Sequence, residues 1–210
     1  LSRDGRSFSA RRVVAIQHGR PIFTLAASFQ VDEQGLEHQF GIPEVPEPDE
    51  VNPIGTLPRE EFDHMPKSMQ RWLDRFGPFE FRPVCGGDPD DRTPQPPYKQ
   101  LWFKLHGELD DDPRLHRALL AYVSDFHLVG TAILPHGISW VQGKLMMASL
   151  DHAMWFHRDF RLDDWLLYSC DSPSSSGGRG LARGMIYDRR GRLVASTAQE
   201  GVIRLRRDED

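Results

Sequence analysis

Residues 10 to 29 and residues 182 to 201 carry the same pattern twice, and this repeat constrains the fold more than any other feature of the chain. At a constant offset of 172, Ala10 matches Ala182, Arg11 matches Arg183, Gly19 matches Gly191, Arg20 matches Arg192 and Ala26 matches Ala198. Each copy reads as strand, tight turn, strand. The first runs Phe8 to Ile16, turns at His18-Gly19, and continues as Ile22 to Phe29; the second runs Leu181 to Tyr187, turns at Arg190-Gly191, and continues as Leu193 to Ile203. Glycine supplies the positive φ that such turns need. Two unrelated hairpins can share five identities by chance, so the common turn position is what favours a duplication. The second copy has about 100 residues before its hairpin, starting near Phe79, and the first has nine. The expectation is a first domain that lacks roughly 90 residues at its start, in a chain that begins at Leu1.

The stretch from Gly41 to Pro66 holds six prolines and reads as an extended, exposed linker. Between Glu44 and Asp63 seven acids face one base, Arg59, a local charge of −6 that exceeds the total of −5. The remainder is near neutral, which removes the electrostatic case for nucleic acid or an anionic membrane as partner. No apolar run is long enough to span a bilayer, so no membrane insertion is expected. Cys85 and Cys170 lack metal-ligand spacing, which favours a reducing, cytoplasmic setting over a disulfide-dependent fold. The expected division is 1–40 as the end of a first domain, 41–78 as linker with a short helix at Lys67 to Phe76, and 79–210 as a complete second domain.

Within that second domain, strands are expected at Phe79 to Val84, Lys99 to His106, Leu145 to His152, Trp165 to Cys170, Arg179 to Tyr187 and Leu193 to Leu205. Asp112-Pro113 starts a long apolar helix, and Pro135 with Gly137 ends it. One helix between antiparallel strands predicts an α+β domain, a sheet wrapped around a central helix.

Asp125 interrupts the helix's apolar run, and at helical spacing it shares a face with Ala121, Tyr122, Leu128 and Val129. An unpaired buried carboxylate is costly, so either it has a partner and a task or it merely ends the helix. Ser149, beside Leu145 and Met147, reads equally as a satisfied core hydroxyl; Gln199, after Ala195 and Thr197, reads equally as a half-exposed strand residue. Asp151, His152 and His157 offer metal-ligating atoms without a further ligand at suitable spacing, so no metal is expected. The segment Ser172 to Gly180 lacks the Lys-Ser/Thr of a nucleotide loop and reads as a flexible hairpin or a loop on the substrate side.

Five stretches carry a resemblance: Arg-Asp-Gly-Arg-Ser-Phe-Ser-Ala-Arg-Arg-Val at 3–13, Gly-Arg-Pro-Ile-Phe at 19–23, Ala-Ser-Phe-Gln at 27–30, Ser-Leu-Asp-His-Ala-Met-Trp-Phe-His at 149–157 and Ala-Ser-Thr-Ala-Gln-Glu-Gly-Val at 195–202. With them the chain resembles the acyl-CoA thioesterase II family, double-hotdog enzymes with bacterial and peroxisomal members. The resemblance implies a complete second hotdog, a first hotdog truncated at its N-terminus, and hydrolysis of fatty acyl-CoA to free fatty acid and CoA without a cofactor. A truncated first domain would leave its core face vacant as an apolar patch, so a homo-oligomer is expected. The family's aspartate, hydroxyl residue and glutamine, which hold and polarise the attacking water, fall on Asp125, Ser149 and Gln199; many relatives have threonine where this chain has Ser149. Arg179 or Arg183 would suit CoA phosphates, because an arginine fork matches phosphate geometry. Two other functions stay open: a hotdog enoyl-CoA hydratase, which would want an Asp/His pair, and a non-catalytic acyl-CoA-binding or assembly fragment.

Overall fold

Where the repeat predicts hairpins, the chain forms them, but the two turns are built differently. The computed structural model describes residues 3–53, 67, 70, 77–85, 93–138 and 145–205; of the helix expected at 67–76, only Lys67 and Gln70 fall among these, and both are helical. The chain divides into two units, Leu1–His38 and Gln39–Asp210.

The first unit is a three-stranded sheet, β1 (Arg3–Asp4), β2 (Phe8–Gln17) and β3 (Arg20–Gln30), in that order. Its hairpin closes through His18 (φ 49) and Gly19 (φ 75), left-handed at both turn residues, the geometry that matches strand twist. A bulge follows where Ile16 pairs with Pro21, which has no N–H to give. In the second copy the turn is longer: Asp188 N–H donates to Arg192 C=O at 3.0 Å around Arg189-Arg190-Gly191, with Gly191 at φ 77. The registers therefore differ by one residue. Arg11 faces Ala27 while Arg183 faces Ala198, so a constant offset of 172 does not preserve cross-strand partners.

The second unit comprises β4 (Phe79–Cys85), β5 (Tyr98–Leu105), α1 (Pro113–Val123), a 3-10 helix (Val129–His136), β6 (Leu145–Ser149), β7 (Ala153–Phe156), β8 (Leu166–Ser176), β9 (Arg179–Asp188) and β10 (Leu193–Leu205). The antiparallel order is β4-β5-β8-β9-β10-β6, with β7 also on β10. Alternate residues Phe79 and Phe81, Leu101 and Phe103 join Leu120 and Val123 of α1 in one core, which is the expected sheet around a helix. The opposite residues Trp102, Trp165, Leu167 and Tyr187 form a second cluster. The linker covers it: Ile42 and Val45 pack there, and Pro46 C=O accepts from Trp102 Nε1 at 2.8 Å. Residues 42–47 form no helix or strand, as expected of a linker, and Pro48–Glu50 make a short 3-10 helix; the segment is not fully exposed, because the outer tryptophans give it apolar surface to bury.

Three local expectations are corrected. The helix expected to reach Leu134 stops at Val123, with Ser124 as C-cap, and resumes at Val129 as a 3-10 helix. In a continuous helix the Ser124 carbonyl would accept from Leu128; here it accepts from the Tyr168 hydroxyl at 3.0 Å. The strand expected from Leu145 to His152 ends at Ser149, and the chain re-enters the sheet as β7 after Asp151 Oδ1 has taken the Glu200 N–H at 2.8 Å. The segment read as a loop at 172–180 is largely strand, bulged between Asp171 and Ser174 around Pro173 and turned by Gly177 (φ 58) and Gly178 (φ 74).

Candidate active site

Gln199 is fully buried within β10, with 0% exposure, and its strand delivers it beside the end of β6 and the turn after α1. Its carboxamide has two N–H donors on Nε2 and uses both, one to Asp125 Oδ1 and one to Ser149 Oγ at 2.7 Å. Ser149 Oγ in turn donates to the same Asp125 Oδ1 at 3.0 Å. The three residues thus close a triangle of hydrogen bonds. Gln199 Oε1 is buried without a hydrogen-bond partner among the described residues. Turning the amide over would set that oxygen against the carboxylate, so the electrostatics fix its orientation.

Asp125 and Ser149 are exposed. The apolar helix face drawn around Asp125 from sequence does not exist, because α1 has ended two residues earlier and the turn carries the carboxylate outward. Its Oδ1 accepts from both partners, and Oδ2 accepts from none among the described residues. A fixed carboxylate with one oxygen open, a hydroxyl beside it and a buried amide behind both can hold a small polar reactant and take a proton from it.

Behind this triangle lie Tyr168, which the sequence did not single out, and His152, which it offered only as a metal-ligating side chain. Tyr168 of β8, 2% exposed, donates to the Ser124 carbonyl and lies 2.8 Å from Thr197 Oγ1. Its ring passes over Gly184, where a Cβ would collide with it. His152 Nε2 lies 2.9 Å from Ser124 Oγ. The available signal was a tyrosine directly after Leu166 and Leu167 in a strand, which needs a partner for its hydroxyl when buried.

Of the other residues singled out, Arg179 is ion-paired with Glu200 at 2.9 Å and Arg183 with Asp171 at 2.7 Å, both on the exposed surface of β9. The Asp171 carboxylate raises the Arg183 guanidinium above its ordinary range. His157 lies 2.8 Å from Ser196 Oγ, and burial lowers its imidazole below the usual value. No group of three or more metal-ligating side chains is assembled among the described residues. Cys85 and Cys170 are both free thiols, and burial pushes Cys170 up to about 12. Among the described residues no helix is long and apolar enough to cross a membrane.

A sequence profile of the family described as acyl-CoA thioesterase matches residues 92–202. The chain is 40% identical over 202 residues to acyl-CoA thioesterase 2 of Haemophilus influenzae, covering 96% of this chain and 71% of that protein. It is 39% identical to human acyl-coenzyme A thioesterase 8, covering 98% of this chain and 66% of that one, so it spans about two thirds of the length of such relatives. Among solved structures, an acyl-CoA thioesterase II from Mycobacterium marinum superposes with a TM-score of 0.77 at 39% identity, over 97% of this chain and 71% of that one. A hot dog fold protein from Alicyclobacillus acidocaldarius, 19% identical, superposes at 0.71 over 96% of this chain and 69% of that one.

Proposed function

The chain belongs to the acyl-CoA thioesterase family, and from that premise we propose that it hydrolyses a fatty acyl-CoA through a water activated by Asp125, Ser149 and Gln199. The observation that supports these residues most is the closed hydrogen-bond triangle with a buried amide at its base. The water lies on the exposed side, against Asp125 Oδ2 and Ser149 Oγ. Asp125 takes a proton as the water oxygen bonds to the thioester carbon; the C–S bond breaks, and the proton passes from Asp125 to the departing thiolate, giving fatty acid and CoA. Gln199 keeps the carboxylate and the hydroxyl in register, so neither must reorganise as charge develops. Ser149 acts without a covalent intermediate, because its proton is given to Asp125 and no histidine touches its Oγ among the described residues.

The hydratase alternative gains nothing from the geometry, since Asp125 makes no hydrogen bond to a histidine among the described residues. Arg179 and Arg183 are offered as contacts to CoA phosphates, which would replace the Glu200 and Asp171 carboxylates as acceptors for their guanidinium groups. The free thiols support a reducing, cytoplasmic setting. The test is kinetic and binding together. Ser149→Thr keeps the hydroxyl and should keep turnover, whereas Ser149→Ala and Gln199→Ala should lose turnover and still bind a non-hydrolysable acyl-CoA analogue. Variants that lose only binding would make the pair a pocket wall.

A further inference from the structure

Ser124, the residue before Asp125, is fully buried at the break between α1 and the 3-10 helix, and it is held from two sides. From the sheet, the Tyr168 hydroxyl donates to its carbonyl at 3.0 Å. That commits the only Tyr168 proton, so Thr197 Oγ1, at 2.8 Å, is the donor in the second bond. Thr197 lies two residues before Gln199 on the same face of β10. From the loop after Ser149, the His152 ring meets Ser124 Oγ at 2.9 Å; because that hydroxyl gives its proton to Ala121 C=O at 3.0 Å, His152 Nε2 is the donor. The neighbouring residues of this loop, Leu150 and Asp151, are pinned to Glu200, next to Gln199. Each segment that carries a member of the trio is therefore tied to Ser124 or to the residues that hold it.

We propose that Tyr168 and His152 are positioning residues, which act through Ser124 and Thr197 to set the separation of Asp125, Ser149 and Gln199. The inference rests on the site proposed above. The helix break, which no glycine or proline between Ser124 and Leu128 explains, is then the device that aims the carboxylate: Tyr168 captures the carbonyl that a fourth helical turn would have used. Gly184 belongs to the same arrangement, since only a residue without Cβ leaves room for the Tyr168 ring.

Tyr168→Phe keeps the ring and removes the hydroxyl, so it separates packing from positioning. Thiol-release kinetics on the wild type, Tyr168→Phe, Asp125→Asn and the double variant form the test. Tyr168→Phe should lower kcat by about tenfold to a hundredfold at unchanged KM, the scale of a catalytic group misplaced by a fraction of an ångström to an ångström. In the Asp125→Asn background it should cost nothing further. A Tyr168→Phe protein with a lower melting temperature and wild-type kcat would overturn the inference and leave the site standing. Equal losses in both backgrounds would overturn it too, because the effect would not run through Asp125. Wild-type turnover in Asp125→Asn itself would overturn the site and the inference with it. Should Tyr168→Phe fail to fold, Thr197→Val against Thr197→Ser carries the same test: serine should retain kcat and valine lose it, and equal kcat in the two would contradict the proposal.

Discussion

Gln199 and Asp125 exchange the environments that their sequence contexts suggest. Strand alternation makes Gln199 look half-exposed, yet it is fully buried, because the turn at Asp125 and the end of β6 close over it. Helical periodicity makes Asp125 look buried, yet it is exposed, because the periodicity is not realised beyond Val123. Gln199→Glu probes this arrangement at constant shape. It puts a second carboxyl against Asp125 Oδ1 and removes two donors, so turnover should fall and stability should drop by about 1–3 kcal/mol at neutral pH. Two facing carboxylates raise one folded-state pKa above its unfolded value, so the loss should shrink as pH falls and the introduced group protonates. Urea titrations at pH 7 and pH 5 measure the difference, and a loss that grows toward pH 5 would contradict the geometry. What was legible in the sequence, through the resemblance, was that Asp125, Ser149 and Gln199 would converge; which member is buried was not, because burial depends on where the helix ends.

The elements meet through small residues and charged clasps. The 3-10 helix lies close against β9 and β10 because Gly180 and Gly201 present no side chain to it; a Cβ on Gly201 would come within 2.6 Å of Val129 Cγ1, and one on Gly180 within 2.5 Å of the Ala132 methyl. Gly201→Ala should cost about 1–3 kcal/mol by overpacking, read from the denaturation midpoint, and should disturb Gln199 two residues away. The clasp with the most buried carboxylate among the described ion pairs is Asp163, which accepts from Arg161 at 2.8 Å and from Leu109 N–H at 2.8 Å, joining the approach to α1 to the approach to β8. The Arg161 hydrogen bond is the main reason its carboxyl is lowered to about 2. Its folded value lies below its unfolded one, so the clasp stabilises above about pH 4 and is lost as pH falls toward 2. Asp163→Asn should therefore lower stability by about 1 kcal/mol at pH 7, the small end of the charged range because Arg161 is 45% exposed, and by progressively less as pH falls through about 2. The hairpins and the outer strands were legible from period-two alternation and turn glycines. The β6–β7 break was not, since Asp151 leaves the strand only because Glu200 in β10 supplies its partner.

For the whole molecule, the internal repeat and the α+β sheet around a helix were both legible, while the one-residue register difference between the hairpins was set by turn length and bulge position. One face of the first unit carries Val13, Phe23, Leu25 and Phe29, each more than 40% exposed. A second copy of the chain is the occupant proposed for such surface, so light scattering should report a mass above the 24.1 kDa of one chain, and Phe23→Lys with Leu25→Lys should return it toward that value. Thiol release from acyl-CoAs of graded length, by the wild type and by Asp125→Asn, tests whether Asp125 is the base. The wild type should turn over, and a folded Asp125→Asn protein should be slower by about 10²-fold or more, the scale of losing a positioned base; equal turnover by the two would remove Asp125 from the mechanism.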